Sequence, residues 1–217
     1  MLPDVMLTRL GEKHMIESLF QFINDIIPTT EPTKSLIVCA IYTTIVMLSV
    51  LVIGRAIDIL ELWQAKILNK FFNQKATLFI CNRVTFPGVM IHELSHALFA
   101  TIFGAKVTKM RLMTIRDDSR LGYIEYVTIG SPMKQGLQHT FCACAPTIMG
   151  ILLELLLFHM LSNGFIVSVG WRIFAIYMMV SIGDHMSMSK QDVRNYLKGS
   201  WSVFVLTYLI LLLLRFC

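Results

Sequence analysis

The chain has 217 residues, 55% of them hydrophobic, with a formal charge of +5, and its mean hydropathy is +0.65. So apolar a composition excludes an ordinary soluble domain and points to an integral membrane protein that crosses the bilayer several times. The positive charge is spread over loops rather than gathered in one basic tract, which excludes nucleic acid as a partner and leaves the lipid bilayer as the simplest one. The five cysteines, Cys39, Cys81, Cys142, Cys144 and Cys217, are odd in number and sit mostly in apolar runs, so they read as buried thiols rather than a disulfide framework.

The first residues, MLPDVMLTRLGEKHM, lack the charged start, apolar middle and small-residue cleavage site of a signal peptide. Insertion is therefore expected to depend on the first spanning helix. Over 15–27, Met15, Ile16, Leu19, Phe20, Ile23, Ile26 and Ile27 repeat at helical spacing opposite a polar face. That pattern predicts an amphipathic helix within an N-terminal segment, 1–34, lying on the membrane or on the helix bundle. The tract PTTEPTK (28–34) breaks it, and 35–217 reads as one membrane-embedded domain. Its first span is 35–54, which is uncharged for long enough to cross a bilayer. From 55 to 83, Arg55, Lys66, Lys70, Lys75 and Arg83 mix with Trp63, Phe71 and Phe72, as expected of a helix leaving the membrane and an interfacial return.

The second predicted span, 84–103, contains HELSH. His92 and His96 are four residues apart, so a helix stacks them on one face, where they can hold one metal ion. Glu93 takes the place of the general base in the zinc-peptidase pattern HExxH. Three ionisable groups at bilayer depth need a partner, and a divalent cation suits all three. The Pro87-Gly88 pair just before them is expected to loosen the helix and admit water. After Gly104, the runs KVTKMRLMTI and LGYIEYVTI flank RDDSR, which predicts a small β-hairpin over 106–129. Its edge could receive an extended peptide by strand addition.

Two further spans, 138–161 and 165–182, join through a tight turn at 162–164 as a membrane hairpin. Glu154 and Arg172 stand about nine residues on either side of that turn, so antiparallel helices would bring them to one depth as an ion pair. That pairing disfavours Glu154 as a metal ligand. The polar tract GDHMSMSKQDVRNYLKG (183–199) precedes a last span over 201–217. The predicted fold is an all-α polytopic membrane protein of about five transmembrane helices, with a β-hairpin inserted after the HExxH helix. Basic loops on both sides of the second span give opposite votes on orientation.

A catalytic zinc takes three protein ligands and leaves the fourth position to water, so the two histidines need a third. Near a membrane boundary the residues leave Asp184 and Asp192 open, each of which can equally be a helix cap. His139, His159 and His185 read as packing or boundary residues, His185 with an added chance of supporting the centre because Asp184 adjoins it. The small residues of CACAPT (142–147) predict close helix packing.

From Phe86 to Leu197 the order of HELSHALFA, the hairpin GAKV…LGYIEY and a distal aspartate resembles the site-2-protease-like family of intramembrane zinc metalloproteases. HELSHALFA is its most specific stretch. The resemblance implies Zn2+ as cofactor and an aspartate before a late membrane helix as third ligand, which maps to Asp192; here SKQDV stands where that family has an LDG motif. It also implies a hydrolase that cuts membrane-embedded or membrane-adjacent peptide or transmembrane substrates, with Glu93 accepting a proton from the attacking water and returning one to the leaving amine. A non-catalytic membrane protein, such as a transporter subunit or immunity factor that keeps the motif, is the alternative. A peptidase acting outside the bilayer would need Glu154 as ligand.

Overall fold

The structure, a computed structural model, describes residues 31–112 and 122–216. The amphipathic stretch at 15–27 and the hairpin turn at 116–120 lie outside the described residues. In chain order the elements are α1 (Glu31–Phe71), α2 (Gln74–Phe79), a π-helical turn (Ile80–Val84), α3 (Phe86–Ile102), β1 (Lys106–Arg111), β2 (Tyr123–Val127), α4 (Pro132–Ser162), α5 (Val169–Gly183) and α6 (Lys190–Phe216). Among the described residues three helices are long and apolar enough to cross a membrane, at Leu36–Phe71, Pro132–Ser162 and Lys190–Leu213. The chain thus reads as a membrane protein. The expected count of about five spans is not confirmed: α3 has 17 residues and α5 has 15, against about 20 for a typical crossing.

The helix that carries the first predicted span continues well past Arg55. α1 runs unbroken for 41 residues. No proline interrupts it after Gly54, and Arg55 is offset on the helix surface by an ion pair with Asp58, one turn later. Contacts divide the chain into a larger unit, Met47–Phe204, and a smaller one holding the described residues up to Val46 and from Val205. In the smaller unit Val38, Cys39 and Thr43 are buried, and Thr43 Oγ1 donates to the Cys39 carbonyl at 2.8 Å.

Within the larger unit α3 is the hub, packed by α4, α5 and both strands. Pro87 does not loosen it. It stands in the first turn of α3, where a missing N–H leaves no bond unmade. Gly88 then brings α3 against α5, since a Cβ there would lie 1.8 Å from the Ser181 carbonyl oxygen. Ser181 Oγ closes the contact, accepting from Gly88 N at 2.8 Å and donating to the Thr85 carbonyl at 2.8 Å. The N-terminus of α3 is therefore clamped.

At its other end α3 stops in a Schellman turn: Gly104 has φ +72°, Gly104 N bonds Thr101 O, and Ala105 N bonds Ala100 O at 2.7 Å. The chain leaves that turn directly into β1. β1 and β2 pair antiparallel as expected, with an irregularity between Val107 and Lys109. Gln138 of α4, fully buried, ties the exit of β2 to the end of α3. Its Nε2 donates to the Phe103 and Ile129 carbonyls at 3.0 and 3.1 Å, and its Oε1 accepts from Ile129 N at 2.8 Å. One amide thus satisfies three main-chain groups that belong to no helix or strand ladder.

The small residues of α4 do pack closely: Cys142, Ala143, Cys144 and Ala145 are buried. Cys39, Cys81, Cys142 and Cys144 are free thiols. The expected Glu154–Arg172 pair is not formed. α5 begins only at Val169, so Arg172 lies in its first turn while Glu154 is about 12 Å along α4 from Ser162. Arg172 Nε instead donates to the Ile166 carbonyl at 2.8 Å, and Glu154 turns its buried Oε1 toward Gly183.

Candidate metal centre

His92 and His96 stack on one face of α3, as their spacing requires, with ring centroids 4.8 Å apart. Their Nε2 atoms are 3.1 Å apart. Asp192, from the first turn of α6, closes the group: its Oδ1 is 3.4 Å from His96 Nε2 and its Oδ2 is 3.9 Å from His92 Nε2. The three donor atoms lie within 4.8 Å of one another, and this group could hold a metal ion. His96 and Asp192 are buried. Two nitrogens at tetrahedral angles and about 2.05 Å from one ion would be about 3.3 Å apart, so the imidazoles stand close to a shared-ligand geometry.

The ring nitrogens that face away from this point settle the tautomers. His92 Nδ1 is 2.6 Å from the His185 carbonyl oxygen and His96 Nδ1 is 2.7 Å from that of Cys142. A carbonyl only accepts, so each Nδ1 carries the proton and each Nε2 presents a lone pair to its neighbours. Partners of this kind fix ring orientation and raise ligand basicity.

Both carbonyls are available because a helix is interrupted. Cys142 lies four residues before Pro146, inside α4. Proline has no N–H to give the carbonyl four residues back, so Cys142 O is left without its helical donor and takes His96 instead. His185 follows the C-cap of α5, Asp184, where carbonyls also lack helical donors. His185 thus supports the centre through its main chain. Burial holds its imidazole below the ordinary histidine range. That ring bonds Thr85 Oγ1 at 3.0 Å, while Thr85 Oγ1 donates to the Cys81 carbonyl at 2.6 Å, so His185 Nε2 is the donor.

Asp192 is both helix cap and member of the group. Ser189 precedes α6, and the two residues exchange bonds: Ser189 N to Asp192 Oδ2 at 2.9 Å and Asp192 N to Ser189 Oγ at 3.2 Å. This is a capping box with aspartate in the usual glutamate position. It commits Oδ2 to the backbone and leaves Oδ1 as the freer oxygen. Asp184 lies elsewhere, its carboxyl bonded to the Gln64 side chain and held above the ordinary aspartate range by burial. Glu154 is also outside the group.

Glu93 borders the histidines on a cavity of about 580 Å³, whose walls include Tyr123, Ile124 and Tyr126 of β2 and Asp192 and Asn195 of α6. Asn195 Nδ2 donates to Tyr126 Oη at 3.4 Å across it. Gly122, entering β2, passes so close that a Cβ there would be 2.9 Å from Glu93 Cγ. A second cavity of about 220 Å³ shares His92 and Glu93 with the first and is also bordered by Glu61, Asp184 and Ser187.

Sequence reasoning reached His92, His96, Glu93 and Asp192 but missed Pro146, Ser189, Gly122 and Glu61. Pro146 had a readable signal, a proline within an otherwise unbroken apolar helix. Pro146→Ala should return an N–H to compete for Cys142 O, stiffening α4 while weakening divalent-metal binding by about 10- to 100-fold. Zinc titration against a chromophoric chelator, with thermal unfolding alongside, checks both signs. No family model, curated protein or solved structure matches the chain.

Proposed function

We propose that this protein is an intramembrane zinc metallopeptidase that hydrolyses peptide bonds of membrane-embedded or membrane-adjacent substrates. His92, His96 and Asp192 hold the zinc, and Glu93 is the general base. The observation that carries this reading is the meeting of Asp192 with His92 and His96, close to 100 residues away in the chain, with Glu93 on the same cavity. A donor set of two imidazoles and one carboxylate suits zinc best among common divalent ions. The resemblance to site-2-protease-like enzymes points the same way. Beside the three helices long enough to cross a membrane, α5 is a shorter apolar helix, which suits a centre set at membrane depth.

Zinc bound there would supply a Lewis acid and an acidified water at neutral pH. The chain does the rest. His185 and Cys142 hold the imidazoles through their carbonyls, and the capping box holds Asp192. Glu93 takes the proton from water as its oxygen attacks the peptide carbon, then returns a proton to the departing nitrogen. β2 lines the cavity beside Glu93, and an extended peptide added to a strand edge would expose the bond that a helix conceals.

The test uses the full chain in proteoliposomes with a set of single-span transmembrane peptides, and mass spectrometry of the products. Internal cleavage that is lost on chelation and restored by Zn2+ is the expected result. A protein that binds zinc yet cuts none of them would favour the non-catalytic alternative.

A further inference from the structure

α1 carries a stripe of partly or fully buried residues, Met47, Val50, Leu51, Gly54, Ile57 and Glu61, spaced as one helix face. Met47, Gly54 and Glu61, at intervals of seven, each meet the segment that leads into or starts α6. The Met47 carbonyl accepts from Tyr196 Oη at 2.7 Å. Gly54 leaves room for Met188, whose sulfur would be 3.4 Å from a Cβ there. Glu61 takes two hydrogen bonds from one residue, Ser187 N to Oε1 at 3.3 Å and Ser187 Oγ to Oε2 at 2.9 Å.

Ser187 sits in the middle of 184–189, the stretch that orients two of the three metal-ligating side chains. Two residues before it is the His185 carbonyl that holds His92, and two after it is Ser189, which holds Asp192. From the α4 side, Thr147 Oγ1 donates to the Met186 carbonyl at 2.8 Å. Glu61 grips the adjacent residue from the α1 side. A carboxylate on an apolar helix needs such a partner, and this one lies within two residues of both orienting groups.

We infer that Glu61 is a positioning residue for the metal centre. By holding Ser187 it sets the separation of the His185 carbonyl and Ser189, and through them the convergence of His92 and Asp192. The inference rests on the metal-site reading and is independent of peptide hydrolysis. The hydrogen bonds, not the charge, do the positioning: a glutamine at 61 can accept from Ser187 N with its oxygen and donate to Ser187 Oγ with its amide.

The experiment measures Zn2+ affinity of the full chain in detergent by chelator competition, and the d–d absorption of the Co2+-loaded protein as a report on ligand geometry. Glu61→Leu should weaken Zn2+ binding about 10- to 100-fold, the usual effect of losing an outer partner, and alter the Co2+ spectrum at saturation. Glu61→Gln should stay within about threefold of the parent with the parent spectrum, since both bonds can be remade. Ser187→Ala, which keeps the N–H but loses the hydroxyl, should show a smaller loss of a few fold. Parent-like binding by folded Glu61→Leu, or Glu61→Gln as weak as Glu61→Leu, overturns the inference. Should Glu61→Leu fail to fold, an unchanged affinity in Ser187→Ala overturns it equally. A parent protein that binds no Zn2+ would instead remove the metal-site reading itself.

Discussion

Asp192→Asn should yield a folded protein that has lost Zn2+, with affinity down by more than about 100-fold, beyond the cost of losing an outer-shell partner. Fold is retained because an asparagine oxygen can still accept from Ser189 N, keeping the capping box that starts α6. Metal is lost because the anionic oxygen nearest His96 is replaced by a neutral amide. Asp192→Ala removes the ligand together with the Oδ2 half of the capping box, while the Ser189 Oγ bond to the main-chain N–H stays, and should also lower stability by about 1 kcal/mol, the net value of one hydrogen bond. Asp184→Asn is the control, since its carboxyl bonds Gln64 rather than the histidines. Metal content by mass spectrometry, with zinc titration on each variant, separates the two aspartates. Zinc lost with Asp184→Asn and kept with Asp192→Asn would redraw the ligand set.

Glu93→Gln should leave metal content unchanged and lower the peptide cleavage rate by about 10²- to 10⁴-fold, the range for losing a general base. The amide matches the carboxylate in shape, so the tight approach of Gly122 to the Glu93 Cγ is undisturbed. What it removes is the capacity to take a proton. Initial rates on a transmembrane peptide in proteoliposomes, normalised to bound zinc, give the measurement. Full activity in Glu93→Gln would exclude Glu93 as base. Loss of zinc would assign it a structural role.

The histidine pair and the hairpin were legible because each rests on a local rule: four-residue spacing puts His92 and His96 on one helix face, and Gly104 ends α3 just where β-rich residues begin. Asp192 was one of two aspartates that the residues left open, and the choice between them came from the resemblance to site-2-protease-like enzymes. What stayed hidden depends on distances between segments. Glu154 and Arg172 are placed symmetrically about the turn at 162–164, yet α5 starts at Val169 and leaves Arg172 far from the depth of Glu154. Pro87-Gly88 reads as a weak point, but its role comes from Ser181, nearly a hundred residues later. Glu61 has no sequence signal of its own, because Ser187 joins it only in the folded chain.

The four-residue interval from Cys142 to Pro146 works as an address. It states which carbonyl on α4 is released, and nothing about the residue that bears it. Moving the proline one place along the helix would release a neighbouring carbonyl, turned about 100° away from His96. The side chain at 142 is thus free to vary as far as packing allows, while the interval is not. The instruction for orienting His96 is written as a count along the chain rather than as a letter in it.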